Sequence, residues 1–109
     1  MPKYIAVNAY NGIKVLEVSK ILYLKSSGRY TSIYLNDKTK ILVCKNLGYY
    51  EKLFENNYFL RIHNSFVVNV SYLKNIIREG DGQYCILSEN NIIPISNRRF
   101  SHVKEFLYY

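Results

Sequence analysis

The chain has 109 residues, 15 of them Lys or Arg and 8 Asp or Glu, for a net charge of +7. That length predicts one domain, residues 1–109, with one modest core that buries about 60–70% of the surface the unfolded chain exposes. Hydrophobic residues at 49% and charged residues at 21% exclude a disordered chain, while the surplus of positive charge admits nucleic acid, acidic lipid or an acidic partner and decides nothing about fold.

Ile5-Ala6-Val7 predicts a short strand, Asn8 to Gly12 a turn, and Ile13 to Val18 and Ile21 to Leu24 two more strands. Ser26-Ser27-Gly28 breaks the pattern. Tyr30-Thr31-Ser32-Ile33-Tyr34-Leu35 resumes it with β-branched and aromatic residues. Asn36-Asp37-Lys38 is a hairpin turn with Thr39 to Cys44 pairing back. Asn46 is placed to cap a helix whose Leu47, Tyr50, Leu53 and Phe54 share one face, with Asn56-Asn57 ending it.

Phe59 to Asn69 follows, two apolar, β-prone flanks around a polar middle of Arg61, His63, Asn64 and Ser65. Val70 to Leu73 predicts a turn and Ile76-Ile77-Arg78 a strand. Glu79-Gly80-Asp81-Gly82 is a tight turn, and Gln83 to Ser88 pairs back across it. Glu89-Asn90-Asn91 is another turn. Ile92-Ile93-Pro94-Ile95 is an edge strand, because Pro94 has no N–H for a ladder. Ser96 or Asn97 caps a last helix with Phe100, Val103 and Leu107 on one face. The expected architecture is a β-rich meander with two short helices. Twelve Tyr against five Phe and no Trp suit a thin, half-solvated sheet.

Cys44 and Cys85 lie in separate apolar runs, without CxxC or Cys/His spacing. They predict buried free thiols in a reducing cytoplasm rather than a metal site. The N-terminal residues lack the apolar run of a signal peptide, and no stretch reaches the ~20 apolar residues of a membrane span. There is no Gly-rich phosphate loop, HExxH or nucleophile elbow. The two histidines, His63 and His102, have no catalytic partner at a diagnostic spacing. No enzyme and no cofactor are expected.

Three segments place hydrogen-bonding side chains at strand ends: Ser26-Ser27-Gly28-Arg29-Tyr30, His63-Asn64-Ser65 and Ser96-Asn97-Arg98-Arg99. Arg and Asn are the side chains that read guanine and adenine edges by paired hydrogen bonds, while Lys, Ser and Thr hold phosphates. Arg98 and Arg99 oppose the dipole of the helix they open, a misfit that a docked phosphate would relieve.

In this light the run Phe59-Leu60-Arg61-Ile62-His63-Asn64-Ser65-Phe66-Val67-Val68-Asn69 resembles the signature of the LytTR-type DNA-binding domain of LytR/AlgR-family response regulators. Ile92-Ile93-Pro94-Ile95-Ser96-Asn97-Arg98-Arg99-Phe100 resembles its closing motif, and Ile21 to Tyr30 its first loop. The resemblance runs from about Asn8 to Leu107. It implies an elongated antiparallel β-sheet fold that holds duplex DNA by strand-end loops rather than a recognition helix. Those loops would enter successive major grooves and bend the DNA. It also implies base contacts from Arg29, Tyr30, Asn64 and Arg98. Backbone contacts are expected from Lys25, Ser27, Arg61, His63, Ser65, Ser96, Asn97 and Arg99. Arg61 is expected both to orient its loop and to meet phosphate, and His63 to hold the loop's shape. Implied partners are double-stranded DNA, a receiver domain in cis, and a second copy on direct repeats. Two other readings compete. One is single-stranded nucleic acid stacked on the Tyr-rich sheet; the other is a protein-interaction module with a basic face and an open β edge.

Overall fold

The computed structural model describes residues 2–55 and 57–109. The chain opens on the hairpin β1 (Tyr4–Ala9) and β2 (Gly12–Glu17), followed by β3 (Ile21–Ser27), β4 (Tyr30–Leu35) and β5 (Lys40–Val43). Helix α1 (Leu47–Leu53) leads to β6 (Phe59–His63) and β7 (Phe66–Asn69). A second antiparallel group is β8 (Leu73–Glu79), β9 (Gly82–Leu87) and β10 (Ile92–Ile95), and α2 (Asn97–Phe106) closes the chain. The expected mostly-β architecture with two short helices is what forms, drawn out to 42 × 26 × 24 Å.

The meander is corrected. The larger sheet has the order β2-β1-β5-β4-β3-β7-β6. β5 folds back against β1 through Ala9 and Val43, and β6 lies four places away from it. At about 4.8 Å per strand that gap is roughly 19 Å, too far for a turn, and α1 with its flanking loops carries the chain across. The Asn46 side chain accepts from the Tyr49 amide at 2.9 Å and starts this helix. Leu47, Tyr50 and Phe54 are buried on its inner side, but Leu53, expected to join them, is 40% exposed in the last turn. The Phe54 ring stacks on Phe59 at 4.2 Å. Each such buried ring contributes roughly 1.5–3 kcal/mol. The predicted stop at Asn56-Asn57 lies partly outside the described residues.

Two cores form where one was expected. Val67 belongs to a cluster with Val7, Ile21, Leu24, Ile33, Val43, Tyr50 and Phe54. Its neighbour Val68 belongs to another, with Leu60, Ile62, Cys85, Leu87, Ile93, Ile95 and Val103. Successive residues of a strand point to opposite faces, so β6 and β7 are sandwiched between α1 on one side and the smaller sheet with α2 on the other. Both faces of these strands are therefore apolar, which is why the Phe59–Asn69 flanks read as continuous hydrophobic runs.

Pairing also overrides local sequence at several strand ends. β3 continues through Ser26 and Ser27, which pair with Thr31 and Tyr30. The Asn8–Gly12 turn shrinks because Ala9 pairs with Gly12. Leu73 pairs with Leu87 instead of turning and packs on the second core. β10 is an edge strand, as Pro94 requires. Cys85 is buried, but Cys44 is exposed. The inward-outward alternation of Ile41, Leu42 and Val43 turns residue 44 to solvent.

Candidate nucleic-acid interface

The Phe59–Asn69 run folds as β6, a turn at Asn64-Ser65, and β7, with a register shift between Arg61 and His63. The turn is held from within. His63 Nδ1 accepts from the Ser65 amide at 3.1 Å. Arg61 donates from Nε to the His63 carbonyl at 2.9 Å and from Nη2 to the Asn64 carbonyl. Its third donor, Nη1, meets the Glu51 carboxylate of α1 at 2.6 Å. A guanidinium is planar, so fixing one end fixes the direction of the others. The Asn64 side chain stays exposed.

The start of α2 is brought to the same place. The Ser96 amide donates to the Ile62 carbonyl at 2.9 Å, tying the end of β10 to β6. Ser96 Oγ accepts from the Arg99 amide at 3.3 Å and caps α2. Asn97 and Arg98 are then exposed in its first turn. Arg98 Nη2 and Arg99 Nη2 both approach Asn64 Oδ1, at 3.4 and 3.5 Å, at the long limit of hydrogen bonding. The side chain of Arg99 is partly buried, and its Nε is enclosed without a partner among the described residues. Burial first, then the charges of Arg61 and Arg98, lower the Arg99 guanidinium from its ordinary range, while Glu51 opposes that shift.

The first loop lies beside this cluster without joining it. β3 pairs antiparallel with β7, Lys25 opposite Phe66, and the Ser26 amide donates to the Ser65 carbonyl at 2.9 Å. The β3–β4 turn therefore projects about two residues, roughly 7 Å, beyond the Asn64-Ser65 turn at the same end of the sheet. Gly28 takes a left-handed φ of +61° there, which a primed two-residue hairpin turn demands. Ser27, Arg29 and Tyr30 are exposed, and Lys25 Nζ stands 5.8 Å over the Phe66 ring.

The structure thus gathers Arg61, His63, Asn64, Ser65, Ser96, Asn97, Arg98 and Arg99 into one cluster, with Lys25, Ser27, Arg29 and Tyr30 on the adjoining hairpin. Glu51 is the member that sequence reasoning missed. It lies on the helix that crosses the sheet, and nothing in its local sequence distinguishes it from a solvated surface acid. His102 is exposed and lines a cleft of about 440 Å³ between α1 and α2, together with Glu51, Arg61 and Arg99. Among the described residues no His, Cys, Asp or Glu group is arranged to hold a metal ion, and no helix is long and apolar enough to cross a membrane.

Comparison with known proteins places this architecture. The family model described as the LytTr DNA-binding domain matches residues 11–108. The sensory transduction protein LytT of Bacillus subtilis (strain 168) is 26% identical over 105 residues, which are 95% of this chain and 43% of that protein. The chain thus spans less than half the length of this curated relative. A solved LytTr DNA-binding domain from Bacillus cereus superposes with a TM-score of 0.86 at 21% identity, covering all of both chains, and shows the same fold. The chain belongs to the LytTr DNA-binding domain family.

Proposed function

We propose that this chain is the sequence-reading module of a bacterial transcription regulator, binding double-stranded DNA with its strand-end turns in successive major grooves. The observation that carries the proposal is the convergence of Asn64, from the β6–β7 turn, with Arg98 and Arg99, from the first turn of α2, on one exposed point. An amide and two guanidinium groups are the side chains suited to purine edges and phosphates, and here the two guanidinium groups stand 3.4 and 3.5 Å from the amide oxygen before DNA arrives. Asn64 and Arg98 read bases at the centre, and Arg29 and Tyr30 read a neighbouring stretch from the adjoining hairpin. Lys25, Ser27, His63, Ser65, Ser96, Asn97 and Arg99 meet the phosphates between them, while Arg61 orients the turn. The activity is binding, without catalysis or cofactor, in the cytoplasm. In a longer protein a receiver domain would control it, and two copies would occupy direct repeats.

The stacked pair Tyr23 and Tyr34, 4.4 Å apart, speaks against the single-strand reading, since each ring already covers a face of the other. Selecting bound duplexes from a random pool tests the proposal. The selected duplex should outcompete both its separated strands and unrelated duplex. A pool that converges on no sequence, or a preference for single strands, would overturn it.

A further inference from the structure

We propose that Glu51, on α1, is a positioning residue that sets how well this interface tells one DNA sequence from another. The inference rests on the duplex-reading role of Asn64 and its neighbours and names what holds that group in shape. Three guanidinium groups, Arg61, Arg98 and Arg99, crowd around the Asn64 turn, and the Glu51 carboxylate reaches into the cluster from the opposite layer. It lies 2.6 Å from Arg61 Nη1, with side-chain exposures of 16% for Arg61 and 45% for Glu51. An isolated surface ion pair contributes little. This one differs because the same guanidinium also donates to the carbonyls of His63 and Asn64, so anchoring Nη1 orients the plane that holds the turn.

The helix itself is firmly placed. Leu47, Tyr50 and Phe54 lock its inner side into the first core, so Glu51 is a fixed point rather than a floating acid. The path from α1 to the DNA face is short: the Glu51 carboxylate, the Arg61 guanidinium, the Asn64 backbone, the Asn64 amide. Two consequences follow. With Glu51 in place, Arg61 is committed to the turn and is a poor phosphate ligand. Without it, Arg61 swings free toward phosphate, three cations stand uncompensated, and the amide loses its fixed direction. Attraction to any DNA then holds or rises while discrimination falls.

The experiment compares the 109-residue chain with Glu51→Ala and Glu51→Gln, measuring anisotropy on the selected duplex and on an unrelated one across a salt series. Amide hydrogen exchange at Asn64 and Ser65 is followed without DNA. In Glu51→Ala the ratio of the two affinities should fall roughly tenfold, the loss of one charged hydrogen bond. Binding to unrelated duplex should be kept or tightened, with the log-affinity against log-salt slope steeper by about 0.9 as one more phosphate is met. Exchange at the turn should quicken. Glu51→Gln, which keeps an acceptor oxygen, should fall between. An unchanged ratio and slope in both variants would overturn the inference and leave the duplex reading standing. An equal loss on both duplexes with the slope unchanged would overturn it in favour of a purely structural role. A wild-type chain with no preference between the duplexes would bring down the duplex reading itself, and this inference with it.

Discussion

The backbone amide of Ser96 donates to the carbonyl of Ile62 at 2.9 Å. This bond joins the last strand of the smaller sheet to β6 of the larger one, one residue before His63. It carries the first turn of α2 to the Asn64-Ser65 turn, so that Arg98 and Arg99 meet the Asn64 amide. The candidate site is thus a seam between two sheets rather than a groove in either.

Removing the shared acceptor should therefore be felt in sequence preference more than in folding. Asn64 is exposed, so Asn64→Ala should leave the melting temperature nearly unchanged. It should weaken binding to a selected duplex by about 1–3 kcal/mol and flatten the preference at one or two base pairs. Arg98→Ala should do the same at adjacent positions. Anisotropy on the selected duplex and its single-base variants measures both. An Asn64→Ala chain with full affinity and full preference would remove this residue from the reading set.

Phosphate contacts should behave differently. Lys25 projects from β3 beside the first loop, its ammonium over the Phe66 ring. Lys25→Ala should weaken selected and unrelated duplexes by the same factor. The salt slope should become shallower by about 0.9, one phosphate fewer. A change confined to the selected duplex would mean that Lys25 reads sequence.

Asn69 belongs to the scaffold, not the interface. It is 3% exposed, donates from Nδ2 to the Ile21 carbonyl at 2.9 Å and accepts at Oδ1 from the Ser71 amide at 3.0 Å. Asn69→Ala leaves the buried Ile21 carbonyl without this donor, at a cost of about 2–3 kcal/mol. A melting temperature lower by roughly 10 °C is expected. Thermal unfolding followed by circular dichroism checks it.

Alkaline pH should destabilise the fold through two groups. Burial pushes the Cys85 thiol from its ordinary 9.0 up to about 12. Burial first, then Tyr49 and Cys44, push Tyr50 from 10.0 to about 12. The folded chain keeps these protons after the unfolded chain has given them up. The stability they confer is whole below about pH 9 and is lost as pH rises from there toward 12. Denaturant midpoints should fall across that window, and less steeply in Cys85→Ala. In the native chain at pH 8, a thiol reagent should label exposed Cys44 and reach Cys85 only on unfolding.

Short-range chemistry made much of this protein legible from its residues. Runs of β-branched and aromatic residues such as Tyr30 to Leu35 marked strands, Asn36 to Lys38 and Gly80-Asp81 marked turns, and Asn46 and the Ser96-Asn97 pair marked helix starts, because each depends on neighbours a few positions away. The polar middle of Phe59 to Asn69 stood out for the same reason. Strand order, the second core and the route across the sheet depend instead on which apolar faces meet, and only tertiary packing decided them. Pairing energy carried β3 through Ser26 and Ser27 against their own weak preference. Glu51 shows the division most plainly. A carboxylate on a helix surface is indistinguishable in sequence from any solvated acid, and it acquires its partner Arg61 only when α1 is laid across the strands.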